Sequence, residues 1–171
     1  MKAQLFCSIF LLAVIGTHLS AQQPTSNKIP ITKSADRLRL FEQQTELQNQ
    51  SKYKSLHWQF IGPNNISGRV TDVEAVRQPG KPLTIWVASA SGGIWKSEDE
   101  GSSWNPVFEQ QLTTDIGDIA IDPQNSETVW AGTGEANIFR SSMAGCGLFK
   151  TMNGGKDWKY MGLGDTHTNA R

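Results

Sequence analysis

Cysteine is nearly absent from the chain: Cys7 and Cys146 are the two among 171 residues. Cys7 falls in a segment expected to be removed on export. That leaves Cys146 alone and excludes an intrachain disulfide in the mature product. A nucleophilic cysteine needs a partnered base, and none is apparent, so Cys146 reads as a small packed side chain beside glycines. An excess of charge of one sign is missing too, because 16 Lys and Arg balance 16 Asp and Glu. Without a basic stripe, the electrostatic footprint of a nucleic-acid binder is absent. The three histidines His18, His57 and His167 share no metal-ligand spacing. Gly132-Thr133-Gly134 lacks the third glycine and the βαβ setting of a dinucleotide fingerprint. No cofactor and no metal are therefore expected.

Long apolar runs are also lacking, except at the start. Lys2 is followed by an almost unbroken apolar stretch over 5–15, and Leu19-Ser20-Ala21 ends on a small residue. This is the layout of a secretory signal peptide over 1–21. The run is shorter than the roughly 20 apolar residues that span a bilayer. No Cys follows it, which argues against a lipoprotein cut. No second stretch of spanning length exists, so no membrane span is expected after cleavage. The expected location is secreted, cell-surface or periplasmic, and the style of the leader is bacterial.

Residues 22–55 form a leader. The first part, to about 33, is polar and carries Pro24 and Pro30, which favours a flexible segment. From Ser34 the pattern changes. Ser34 suits an N-cap, no Gly or Pro occurs over 35–50, and Leu38, Phe41 and Leu47 fall on one side of a helix beside Leu40. A short amphipathic helix is predicted there, as a spacer or pro-region-like segment.

From residue 56 short apolar runs alternate with turn residues, as in an all-β domain. The decisive feature is an internal repeat. Gly93-Ile94-Trp95-Lys96-Ser97 returns as Gly147-Leu148-Phe149-Lys150-Thr151. Asp99, Gly101 and Trp104 return as Asn153, Gly155 and Trp158. Ser97 and Thr151 lie 54 positions apart, as do Trp104 and Trp158. Ile85-Trp86-Val87-Ala88 returns as Val129-Trp130-Ala131-Gly132, only 44 positions on. Ten extra residues therefore sit in the second copy, within 135–146. A period near fifty with four short strands is the size of a propeller blade. The reading is a partial β-propeller with about two four-stranded blades and the start of a third. Its strands are expected near 68–76, 84–88, 93–97 and 103–108, then 116–122, 128–132, 147–151 and 157–162. Residues 166–171 would open the third blade.

Ser97-Glu98-Asp99-Glu100-Gly101-Ser102-Ser103-Trp104 fits the pattern Ser/Thr-x-Asp-x-Gly-x-Ser/Thr-Trp, and resembles the Asp-box, or BNR repeat. Thr151-Met152-Asn153-Gly154-Gly155-Lys156-Asp157-Trp158 is a degenerate second copy. Trp58 with Ile61-Gly62-Pro63, Gly68-Arg69-Val70, Ser91-Gly92-Gly93-Ile94-Trp95 and Gly132-Thr133-Gly134-Glu135 strengthen the likeness. Over 56–171 the chain resembles secreted bacterial sortilin-like propellers, often described as glycosyl hydrolases by analogy. The resemblance implies that the box is a scaffold feature remote from the active site. The chemistry of the box agrees. An Asp or Asn carbonyl oxygen can accept hydrogen bonds from its own turn. Gly101 and Gly155 supply positive φ. Trp104 and Trp158 each offer a ring whose truncation would cost on the order of 3–5 kcal/mol if buried.

Antiparallel order puts the second-to-third loops and the blade-to-blade links at one end, opposite the boxes. The ten-residue insertion lies at that end. Loops there are the natural ligand site. The candidate binding residues are Glu135, Asn137, Phe139 and Arg140. Glu135 could serve as an acid, a base or a cation ligand, and Arg140 could clamp a carboxylate. The structural alternative is that Glu135 pairs locally. Ser89, Ser91, Asp115 and Asp118 belong to the same end. Asn65-Ile66-Ser67 is a formal glycosylation sequon.

Two functions compete. One is a binding or scaffold propeller for a carbohydrate or protein ligand. The other is part of a glycoside hydrolase, whose two carboxylates stand roughly 5–10 Å apart and would come from several blades. Sialidase activity is disfavoured, since Arg69-Val70 stands where the resembled sialidases have Arg-Ile-Pro, and few other arginines fall on the right loops. Two blades and a stub leave strand edges uncovered. The chain is thus expected to be an N-terminal fragment whose partners include the remaining blades. Nothing in the sequence itself motivates assembly from several copies.

Overall fold

A computed structural model describes residues 32–57, 68–137 and 143–169. The signal segment, Trp58, the 61–63 phrase, the sequon, Phe139 and Arg140 lie outside the described residues. One helix, α1 (Ser34–Gln50), precedes eight strands among those described. They are β1 (Val70–Arg77), β2 (Leu83–Ser89), β3 (Ile94–Ser97), β4 (Asn105–Pro106), β5 (Ile116–Asp122), β6 (Asn125–Thr133), β7 (Leu148–Thr151) and β8 (Lys159–Gly162). The strands make two four-stranded antiparallel sheets, β1-β2-β3-β4 and β5-β6-β7-β8, each in simple sequence order.

The repeat carries over into register. Trp86 pairs with Lys96 and Trp130 with Lys150. Lys96 pairs with Asn105 and Lys150 with Lys159. In each sheet the lysine ammonium sits over the indole, at 5.0 Å for Lys96 on Trp86 and 4.8 Å for Lys150 on Trp130. β-branched and aromatic residues at alternating positions suit a pleated surface with one buried face. In β2 the buried positions are Trp86 and Ala88; in β6 they include Val129, Ala131 and Thr133.

One core joins the two sheets. Trp86, Ala88, Ile94 and Phe108 from the first repeat meet Ile116, Ile119, Val129, Ala131 and Phe149 from the second. Phe108 is the centre of an edge-to-face aromatic group, with its ring 5.4 Å from Phe149 and 4.9 Å from Trp158. Polar ties run between the inner strands. Thr71 Oγ1 donates to the Ile116 carbonyl at 2.9 Å, and the Ile119 N–H donates to Asp72 at 3.1 Å. Gln78 is hydrogen-bonded to Ser126.

The structure corrects the reading of the helix start. Ser34 is not the N-cap: it is the first helical residue, and Lys33 occupies the cap position without a side-chain cap bond. The Ser34 hydroxyl donates instead to Asp165, at 3.0 Å. Arg37 donates to the carbonyls of Gly145 at 3.1 Å and Gly164 at 3.2 Å. Ser34, Arg37, Leu38 and Phe41 form the sheltered stripe, whereas Leu47 is exposed, so no helix residue is fully buried. Polar contacts to distant loops therefore hold this helix more than apolar burial does.

Thr166 to Asn169 form no strand. They repeat the course of the link between the sheets. The Gly93 N–H donates to Thr114 O and the Gly145 N–H to His167 O, both at 2.8 Å. Asn169 then bonds back to the end of β6, its side chain donating to Thr133 O at 2.6 Å. A strand needs a ladder partner, and here the backbone groups are engaged by the end of β6 and the loop before β7.

Candidate functional site

The two tryptophan turns have the same internal construction. In the first, Ser97 Oγ donates to Asp99 at 2.8 Å and accepts the Gly101 N–H at 2.8 Å. Asp99 also accepts the Ser103 N–H at 2.8 Å and the Ser103 hydroxyl at 2.6 Å. In the second, Thr151 Oγ1 donates to Asn153 at 3.0 Å and accepts the Gly155 N–H at 3.0 Å. Asn153 Oδ1 accepts the Asp157 N–H at 3.0 Å, and its amide donates to Asp157 at 2.8 Å. The Asp157 carboxylate thus takes the place of the Ser103 hydroxyl, and the amide of Asn153 supplies the donor this exchange needs. Gly101 and Gly155 both have positive φ, 91° and 90°. These side chains are used up in shaping their turns. The Ser103 hydroxyl above all, then the Ser103 N–H and the Ser97 hydroxyl, hold the Asp99 carboxyl down to about 2.

The opposite end of the sheets is built differently. There β1 and β5 begin, β2 and β6 end, and the linking segment returns. The Arg69 carbonyl accepts the Ala90 N–H at 3.0 Å, and the Asp115 carbonyl accepts the Gly134 N–H at 2.7 Å. These backbone ties bring three charged side chains together. Arg69, half exposed, makes a two-pronged ion pair with the buried Glu135, through Nε to one oxygen and NH2 to the other. The hydrogen bond to Glu135 raises the affinity of Arg69 for its proton. Asp115 is fully buried, and neither carboxyl oxygen has a hydrogen bond of ordinary geometry. Burial pushes its titration above the usual aspartate value, and the nearby Glu135 adds to this. The Met143 N–H and the Arg69 charge act against the rise.

Of the residues expected at this end, Glu135 and Asp115 are brought together. Ser91 is exposed, and its carbonyl accepts the Thr114 hydroxyl at 3.3 Å. Ser89 and Asp118 are partly buried, and Asn137 is exposed beyond Glu135. Glu135 is paired, but not locally: its partner Arg69 lies 66 residues earlier, directly before β1 of the other sheet. A carboxylate fixed by two guanidinium bonds is poorly placed to act as a general base. Arg69 was not expected as a site residue. The available signal was an arginine directly before β1, the first strand of its sheet, where side chains reach the end of the sheets. Among the described residues, no group of three or more His, Cys, Asp or Glu could hold a metal ion. No helix among them is long and apolar enough to cross a membrane.

No family model matches the chain. Its sequence is similar to a probable oligoxyloglucan-reducing end-specific xyloglucanase of Neosartorya fischeri, with 29% identity over 103 residues. That stretch is 58% of this chain and spans only 11% of the length of the xyloglucanase. Among solved structures, an ancestral GH74 enzyme matches with TM-score 0.45 and 25% identity, over 62% of this chain and 12% of that one. A GH74 enzyme of Niastella koreensis matches with TM-score 0.38 and 15% identity, over 53% and 13%.

Proposed function

We propose that the two sheets are blades of an exported Asp-box β-propeller. The end carrying Arg69, Asp115 and Glu135 forms part of a carbohydrate-binding face. The observation that carries this reading is the division of labour between the two ends. The turn end spends its polar groups on itself. The other end gathers a guanidinium and two carboxyls beside the 135–146 insertion, where the second repeat departs from the first. The half-exposed Arg69, fixed by Glu135, can offer donors to sugar hydroxyls. The likeness to a probable xyloglucanase supports xyloglucan or its oligosaccharides as the ligand class.

A second reading, a share in a glycoside hydrolase site, is favoured by one specific observation. Asp115 keeps its proton more readily than an ordinary aspartate, as a general acid must. Its full burial opposes that role. The two readings separate in one experiment on a polypeptide that holds the complete ring. Xyloglucan oligosaccharides are titrated calorimetrically, and reducing ends are assayed in parallel. Binding without turnover, weakened by Arg69→Ala, supports the module. Turnover that disappears in Asp115→Asn supports the hydrolase, and the lack of both removes carbohydrate from consideration.

A further inference from the structure

The insertion that sets the second repeat apart has two feet, both at the end of the sheets opposite the tryptophan turns. The outgoing foot is Gly134 and Glu135, held by the Asp115 carbonyl and by Arg69. The returning foot is 143–147, and three elements hold it. The end of β6 is the first. The Cys146 N–H donates to Thr133 Oγ1 at 2.8 Å, and that hydroxyl donates to the Gly147 carbonyl at 2.7 Å. The approach is so close that a methyl at Gly145 would stand 2.1 Å from the Thr133 carbonyl oxygen. His167 is the second, its carbonyl accepting the Gly145 N–H at 2.8 Å. The helix α1 is the third. Arg37 donates to the Gly145 carbonyl at 3.1 Å and, through its other terminal nitrogen, to the Gly164 carbonyl at 3.2 Å. The planar guanidinium can hold two loops at once in this way, as a flexible ammonium cannot.

The two feet meet at Asp115. Its carbonyl accepts the outgoing Gly134 N–H. The Met143 N–H of the returning foot is near enough to its carboxyl to favour the charged form. Movement of the returning foot therefore acts on the buried carboxyl and on the Glu135–Arg69 pair beside it. Apolar burial does not press α1 onto this foot, since no residue of the helix is buried. A hollow of about 470 Å³ lies between Leu40 and Phe41 on the helix and Thr114, Met143 and Cys146 beneath it. Arg37 stands at the same hollow, and its charge reaches the Cys146 thiol. Burial pushes that thiol up, against the Thr133 hydroxyl bond and the Arg37 charge.

We propose that Arg37 is a positioning residue for the site end of the sheets. It fixes the returning foot of the insertion, and α1 is the clasp that keeps the Asp115, Glu135 and Arg69 side chains in their arrangement. The helix is thus part of the site and more than a spacer before the sheets. Because hydrogen bonds to two carbonyls hold it, the clasp opens at little cost in apolar burial and without unfolding of the sheets. The effect on ligand binding rests on the carbohydrate-face reading. The hold on the foot rests on the contacts alone.

Cys146, 1% exposed, reports on the foot. In a Cys7→Ser background it is the one thiol of the chain, and its labelling by an aromatic disulfide reagent can be timed. Arg37→Ala should speed labelling on the order of tenfold or more, since two hydrogen bonds from a charged group are lost. The rate should not change with urea below the unfolding transition, the mark of local opening. Loss of the Arg37 charge by itself would disfavour the thiolate and slow labelling, so acceleration reports movement. Arg39→Ala is the control. Arg39 meets Asp36 of its own helix at 3.7 Å, and its removal should leave the rate unchanged. In a polypeptide holding the complete ring, Arg37→Ala should weaken binding of xyloglucan oligosaccharides severalfold, with Arg39→Ala matching the parent. The proposal is overturned by a parental labelling rate in Arg37→Ala, by equal acceleration in Arg39→Ala, or by acceleration that follows global unfolding in urea. Unchanged affinity in Arg37→Ala, where the parent binds, overturns it too. If the parent does not bind while the foot opens as described, the carbohydrate reading falls and the clasp stands.

Discussion

The indole N–H of Trp158 donates to the carbonyl oxygen of Val107, at 2.7 Å, across the gap between the two sheets. The same ring packs edge-to-face on Phe108. One side chain therefore locks the second turn onto the segment directly after β4 of the preceding sheet. Trp104 holds the same position in its own turn and is 40% exposed, without such a neighbour among the described residues. Trp158→Ala should cost about 3 kcal/mol, within the range for truncating a packed aromatic. Trp104→Ala should cost about 1 kcal/mol or less in the monomer, because much of the ring is already in water. Trp158→Phe should lie between, losing a hydrogen bond worth about 1 kcal/mol. Urea unfolding at low protein concentration checks the order. Equal losses at 104 and 158 would contradict the sheet-on-sheet packing.

The two turn glycines give a sharper contrast. Both have a φ near 90°, so an alanine is strained at either site. At Gly101 the added methyl would be 3.7 Å from the Trp104 ring, an ordinary contact. At Gly155 it would press on Val107 and Trp86 at 3.1–3.2 Å. Overpacking adds roughly 1–3 kcal/mol. Gly155→Ala should therefore lower the melting temperature clearly more than Gly101→Ala, as followed by calorimetry.

The strand positions were legible in the sequence because the repeat, offset by 54 residues over the third strands and turns and by 44 over the second strands, supplies two samples of one pattern. Both turns, with Ser97, Asp99, Asn153 and the glycines, were legible for the same reason. Pairings that occur once were not. Glu135 stood out as an acidic residue in a predicted loop, but its partner Arg69 lies 66 residues earlier. No local pattern encodes such a contact. Ser34 was misread because its partner, Asp165, is 131 residues away, while the local sequence suits a cap. The orphaned state of Asp115 comes from packing by the whole linking region, which no short window contains.

Arg69 and Glu135 should differ when one is removed. Arg69→Ala takes both guanidinium bonds from a carboxylate that is 2% exposed, and a buried charge that loses an opposite charge is costly. Glu135→Gln leaves a guanidinium that is 40% exposed and can turn to water. Thermal melts should show a drop of several degrees for Arg69→Ala and a clearly smaller one for Glu135→Gln. The reverse order would mean that Glu135 is not buried as described.

Asp115 should make the protein more stable when it is neutralised. Burial raises its titration above the ordinary value of 3.8. Below 3.8 both the folded and unfolded chains hold the proton, and the group contributes nothing. As pH rises past that value the unfolded chain releases its proton first, so stability falls until the folded-state value is passed. Asp115→Asn should therefore match the wild type near pH 3 and exceed it at pH 7. Urea midpoints across that range provide the measurement. A variant that is less stable at pH 7 would mean that the carboxylate has a partner in solution.

Asp99 titrates in the opposite sense, and Asn153 provides its natural control. The Ser103 and Ser97 bonds hold the folded-state value at about 2, against an ordinary 3.8. The ionised group therefore stabilises the fold fully above pH 3.8, and the contribution fades as pH falls towards 2. Asn153 performs the same turn chemistry without a charge, its oxygen accepting the Asp157 N–H. Asp99→Asn should keep the turn, because the amide still offers an acceptor oxygen. Its added N–H₂ meets the Ser103 hydroxyl, which can rotate to accept. The expected result is a modest loss of stability at pH 7 that shrinks steadily between pH 4 and 2. Wild type and variant should converge at the acid end. Asp99→Ala removes the acceptor as well as the charge, so its deficit should persist at pH 2. A pH-independent gap between wild type and Asp99→Asn would show that the carboxylate charge contributes nothing, and that geometry alone maintains the turn.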